Sequence, residues 1–155
     1  MQKSISEQEL TRLILDRYSG LICKNAYRET TFFYNPDQLL PNGVYVCTIK
    51  SEDGPNDKAS QLNRAGVYRL SCGLPADKYC DLFGAKPKRP AKGQIVDLPI
   101  DFTTLDQIIP HPIYAWMGWV CINNPSKETL SRFLKLMDFS YEKAKQAYIK
   151  KISSN

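Results

Sequence analysis

The chain has one histidine, His111, and it stands between two prolines in Pro110-His111-Pro112. Each proline fixes its own φ, and Pro112 also drives His111 toward extended backbone, so the imidazole is held stiffly. A stiff imidazole can touch a ligand, move a proton, or brace the strand that follows, and the residue types leave all three open. A second constellation, Asn63-Arg64-Ala65-Gly66-Val67-Tyr68-Arg69-Leu70, carries two guanidinium groups five positions apart. An odd offset along a strand sends Arg64 and Arg69 to opposite faces unless Ala65-Gly66 turns the chain. Either can pair with a carboxylate such as Asp57 or Asp101, or capture an anion with its planar fork. The third is Tyr114-Ala115-Trp116-Met117-Gly118-Trp119. Alternation puts Tyr114 and Trp116 on one strand face and Trp119 on the other, and Gly118 permits a bulge that breaks the pattern. A run like this builds core or walls a pocket.

Charge gives a fourth. Of the net +5, the eight residues from Ala85 to Lys92 supply +4 through Lys86, Lys88, Arg89 and Lys92, with no acid among them. Pro87 and Pro90 keep the segment out of helix interiors and central strands, so these cations sit on an exposed extended loop. Such a loop is a solvated linker or a small arm for phosphates. Other chemistries are missing. The sequence has no phosphate-binding glycine loop with its lysine, no dinucleotide glycine fingerprint and no Gly-x-Ser-x-Gly elbow. Five cysteines (Cys23, Cys47, Cys72, Cys80, Cys121) are odd in number and never spaced Cys-x-x-Cys. They read as small apolar side chains in a reducing compartment rather than a disulfide frame. With one histidine and scattered cysteines, no zinc site is expected, and no other metal or cofactor.

The elements that must position these groups follow from periodicity. At 155 residues with 43% apolar and 24% charged side chains, one ordinary domain (1–155) is expected, without general disorder. Ser6-Glu7-Gln8-Glu9 is a capping box, and Leu10, Leu13, Ile14 and Tyr18 continue a helix from Glu7 to Ser19. Leu21–Ala26, Thr30–Tyr34 and Val44–Lys50 alternate with turn residues and predict an antiparallel meander. Ser51 to Ala65 is polar, a loop with a helical turn through Ala59 and Leu62, and Val67–Cys72 returns to strand. Pro75 opens a short helix ended by Gly84, with Tyr79, Cys80, Leu82 and Phe83 inward. Gln94–Ile100 reads as a strand, Thr104–Ile109 as a helical turn, and Ile113–Asn123 as a central strand. Ser126 caps a long helix over Lys127–Lys150. Strands clustered between terminal helices predict an α+β fold: an antiparallel β-sheet packed on one face by the N-terminal helix and the long C-terminal helix. No run approaches the length of a membrane span, and no signal peptide is visible, so a cytoplasmic protein is expected.

Thr31-Phe32-Phe33-Tyr34, the Asn63–Leu70 segment, His111-Pro112-Ile113-Tyr114, Gly118-Trp119-Val120 and Asn124-Pro125 resemble a family of small bacterial proteins known only as a domain of unknown function. The likeness covers most of the chain. That family usually carries Gly-Asp before the arginine-bearing turn, where this chain has Pro55-Asn56-Asp57, so Asp57 is the residue in its place. More loosely, Gly118-Trp119-Val120, the Pro125-Ser126 helix start and Phe139-Ser140-Tyr141 resemble the MmcQ/YjbR-like proteins. That resemblance implies their double wing fold and brings the label DNA-binding, which travels with the fold more than with any site.

These residues are compatible with three functions. The leading one is a non-enzymatic binding module for an unknown small molecule or protein, its ligand held near His111, Tyr114, Trp119, Arg64, Arg69, Asn63 and Asp57. The alternative is weak DNA or other nucleic-acid binding through Lys86, Lys88, Arg89 and Lys92; four phosphate contacts would give a log–log salt slope of about −3.6. The third is an enzyme using His111 on an anionic substrate. No residue is assigned as catalytic, and no membrane partner is expected.

Overall fold

The computed structural model describes residues 4–154. Helix α1 (Glu7–Arg17) starts as its residues dictate: the Ser6 hydroxyl accepts from the Glu9 amide at 3.1 Å and donates to the Glu9 carboxylate. It stops two residues before the expected end, because Tyr18 turns extended and its hydroxyl donates to Asp138 at 2.7 Å. Strands β1 (Leu21–Ala26), β2 (Glu29–Tyr34) and β3 (Val44–Lys50) then form the expected meander. Tyr27 and Arg28 join β1 to β2, both at positive φ (52° and 61°), the two-residue hairpin geometry that matches strand twist.

Residues 51–68 cross the sheet as turns, without the helical turn expected near Ala59. Strand β4 (Arg69–Gly73) leads to α2 (Ala76–Phe83), which buries Tyr79 but leaves Cys80 and Leu82 exposed, against expectation. The segments read as a strand at Gln94–Ile100 and as a helical turn at Thr104–Ile109 are neither. Val96 is buried and its amide donates to the Pro112 carbonyl at 2.8 Å, yet no second strand lies alongside to make a ladder. Asp106 sits at φ 55°, which breaks any helical run, and Leu105 makes one bridge to Asn123.

Strand β5 (Ile109–Pro110) is two residues long. The long apolar strand shortens to β6 (Trp119–Asn123), since Ala115–Met117 coil into a 3-10 turn ended by Gly118 at φ 88°. A β-carbon at Gly118 would also lie 2.8 Å from the Leu74 carbonyl oxygen, so only glycine fits. Helix α3 (Lys127–Ser153) closes the chain, with the Ser126 hydroxyl accepting from the Thr129 amide.

Among the described residues six strands form one sheet in the order β1-β2-β3-β4-β6-β5, and every pair is antiparallel. The fold is α+β, with α3 laid across one sheet face against β2, β3 and β4. Helix α1 lies beside α3, tied by the Arg17 guanidinium to Asp138 at 2.8 and 2.9 Å. Leu10, Ile14, Phe32, Val46, Leu70, Val120, Ile122, Phe133 and Met137 fill the space between and are fully buried. Each such side chain contributes about 1.5–3 kcal/mol by leaving water. Among the described residues no helix is long and apolar enough to cross a membrane.

Candidate functional site

Directly opposed residues of an antiparallel pair share a face, so the register sorts the side chains. Leu70 and Cys72 point to the helices; Arg69, Ser71 and Gly73 point the other way. Across the strands, the first row on that second face is Glu29, Lys50, Arg69 and Asn123, and the next is Thr31, Thr48, Ser71 and Cys121. This polar face is partly roofed. Asp57 and Ser60 lie over β4, and the Phe102 and Thr104 carbonyls accept from the Asn123 side-chain amide at 3.0 and 2.9 Å. Between the 54–57 turn and the segment from His111 to Trp119 the face stays open as a groove of about 500 Å³.

Arg69 forms its floor. The side chain is 2% exposed, and it meets Asp57 in a two-pronged pair, Nη1 donating to Oδ1 at 2.9 Å and Nη2 to Oδ2. Nη1 also donates to the Ser60 hydroxyl at 3.0 Å. Burial works to raise the Asp57 carboxyl, but the Arg69 hydrogen bonds and charge outweigh it and hold the acid below its ordinary value. Three buried polar atoms on this face lack protein partners: Arg69 Nε, Ser71 Oγ and Asn123 Oδ1. They belong to residues that are neighbours by register, Arg69 opposite Asn123 and two positions from Ser71.

His111 follows β5, and its ring is fixed by its own turn. Nδ1 accepts from the Ile113 amide at 3.0 Å and the Tyr114 amide at 3.1 Å. Two donors aimed at one nitrogen require a lone pair there, so the proton sits on Nε2. No group among the described residues accepts from Nε2, and His111 lines the groove, so the site presents a neutral N–H donor. Burial, then the Arg69 charge, keeps the imidazole from protonating until well below its ordinary pKa. Around it stand Tyr114 at 5.1 Å and Trp119 at 6.4 Å between ring centroids. Trp119 can lie across β4 because the opposed residue is Gly73; a β-carbon there would come within 2.7 Å of the indole nitrogen.

Of the residues singled out in the sequence, His111, Tyr114, Trp119, Arg69 and Asp57 converge on this groove. Arg64 and Asn63 do not line it. Arg64 folds back to donate to the Gln61, Ser60 and Thr103 carbonyls, and the Asn63 side chain accepts from the Asp53 amide. The two arginines therefore do different work: one braces loops, the other pairs with an acid. The expected split of Tyr114 from Trp119 onto opposite strand faces is overturned too, since Tyr114 precedes the 3-10 turn and stands outside the strand. Glu29, Tyr45, Thr48, Lys50 and Met117 also line the groove and were missed. Glu29, Thr48 and Lys50 stand where the register carries β4's polar face onto β3 and β2, a signal readable only after strands are paired.

Lys86, Lys88, Arg89 and Lys92 lie apart from the groove lining, all exposed, in a segment without regular structure. Arg89 is folded over the Trp116 ring at 4.7 Å. A second depression, about 570 Å³, lies on α1 beside Arg12 and Asp16, but it is open helix surface whose charged groups face solvent. Among the described residues no cluster of histidine, cysteine, aspartate or glutamate is arranged to hold a metal.

No curated protein and no solved structure matches the chain, so the likeness to the MmcQ/YjbR-like proteins rests on the residues quoted for it. The model of a family of unknown function, DUF6194, matches residues 5–153, and the chain belongs to that family.

Proposed function

We propose that the protein is a non-enzymatic binding module that takes a small molecule in the groove between the 54–57 turn and the His111–Trp119 segment. The observation that carries this is the His111 ring, locked by two backbone donors so that its Nε2–H is offered into an aromatic-walled concavity. Concave sites with apolar walls and a few fixed polar groups are the usual form of small-ligand sites. The same lock argues against acid–base catalysis by His111. Its only lone pair is already used, and protonating Nδ1 would set a third N–H against two others.

The test is an amide-resolved NMR titration of the protein with a library of neutral, anionic and cationic fragments. Shifts should concentrate at the Trp119 indole and the Ile113 and Tyr114 amides. Shifts confined to other surfaces, or none across the whole library, reject the reading. Nucleic-acid binding by Lys86, Lys88, Arg89 and Lys92 is the second reading, favoured by four exposed cations with no ion-pair partner among the described residues. Duplex binding at low salt that falls about a hundredfold between 50 and 200 mM would support it, and no binding at 50 mM would end it.

A further inference from the structure

This inference rests on the groove reading and specifies what fills the groove. The N–H groups that line it are short of acceptors. His111 Nε2 has none, and the Trp119 indole nitrogen and Lys50 Nζ have no acceptor within hydrogen-bond distance among the described residues. In the floor, Arg69 Nε is buried with none. On the acceptor side, both Asp57 oxygens already serve Arg69. The free N–H groups of the groove call for a ligand that brings acceptors; the acceptor left over, the Glu29 carboxylate, lies 4.0 Å from Lys50 Nζ and is the more exposed of that pair.

Its charge follows from the pairs. Arg69 and Asp57 cancel. Lys50 is left, its side chain 12% exposed, with Glu29 at 4.0 Å and three times as open to solvent screening, at 37%. One weakly paired cation suits one negative charge. A dianion such as phosphate would set a second charge against Asp57 and Glu29 with no second free cation to meet it. Its shape follows from the walls. Tyr114 and Tyr45 are 47% and 58% exposed at the mouth, and Trp119 lies between His111 and β4, so the body of the ligand is flat and apolar.

The geometry points to an aromatic monocarboxylate as the ligand class, its carboxylate held by Lys50 and the His111 Nε2–H and its ring against Trp119, Tyr114 and Tyr45. The probes are indole-3-carboxylate and benzoate, with their neutral amides, acetate and inorganic phosphate as comparisons, read by the same amide and indole shifts. The acids should bind at least tenfold more tightly than their amides, acetate and phosphate should leave the groove signals unmoved, and Lys50→Met should remove the acid-over-amide preference while the amides still bind. Equal affinity for acid and amide on the unaltered protein overturns the assignment, and so does tighter binding of phosphate; either leaves the groove standing as a binding site. The acid-to-amide ratio needs no variant, so it decides even if Lys50→Met does not fold. Silence from the groove toward every probe and every library fragment would instead remove the site itself.

Discussion

Along β4 the side chains alternate between two environments. Leu70 and Cys72 have no exposed surface and belong to the apolar core below α3, while Arg69 and Ser71 are buried on the other face with polar atoms to satisfy. The apolar face is non-directional: any side chain of about the right volume lowers the free energy. The polar face is conditional, since each group there is favourable only while its partner stays in place. Stability thus resides mainly in one face and specificity in the other. At the base of the polar face Cys121 is fully buried, and desolvation pushes its thiol up to about 12.

Truncation on the apolar face should cost most. Phe133→Ala removes a fully buried ring from α3 and should lower unfolding free energy by about 3–5 kcal/mol in urea titration. A loss under about 1 kcal/mol would mean that α3 is not a principal support of the sheet. On the other face, Asp57→Ala should cost about 3 kcal/mol, because it strands the Arg69 charge. The double change Asp57→Leu with Arg69→Met should recover most of that loss. If instead the double variant is as unstable as the single one, the pair is a structural support and the contrast between faces fails.

Protonation sharpens the contrast further. His111 keeps its proton off in the folded chain until well below its ordinary value, chiefly because it is buried and then because Arg69 repels the cation. The unfolded chain takes that proton near pH 6.5, so below this value it binds more protons than the native state. Stability is therefore complete above about pH 6.5 and falls as the pH drops, with a slope approaching about 1.4 kcal/mol per unit. His111→Gln should flatten the curve between pH 5 and 6.5, and an unchanged slope would show that the ring is not desolvated. The smallest expected effect is at Gly73. Gly73→Ala should displace the Trp119 indole, seen as a shift of its N–H resonance, at a cost of about 1 kcal/mol. An unmoved indole signal would mean that Trp119 does not lie against β4.

The parts legible in the sequence were those set by short-range chemistry. Ser6 with Glu9, Ser126, and the alternation in 21–26, 30–34 and 44–50 each carry their own instruction, and the helices and meander follow. Alternation misled at Gln94–Ile100, because it records which side chains turn inward and not whether a neighbouring strand exists to share hydrogen bonds. It misled again at Ile113–Gly118, where Gly118 in the left-handed region and the ring of His111 coil the backbone. In the site, Asp57 is named as one of two carboxylates for the arginines and as the residue in place of the family's aspartate, whereas Lys50 and Tyr45 carry no local signal. What brings Lys50 beside Arg69 is one step of strand register, a long-range choice that no local window contains.

The two-pronged pair of Arg69 and Asp57 also constrains how a lineage of such chains can change. Replacing Asp57 alone strands the Arg69 charge away from water, and replacing Arg69 alone leaves the largely covered Asp57 carboxylate without its partner, so single steps away from the pair cross a less stable intermediate. Twelve positions apart in the chain, the two are inherited as one character, to be kept together or exchanged together. Ser71, whose hydroxyl has no protein partner among the described residues, carries no such tie.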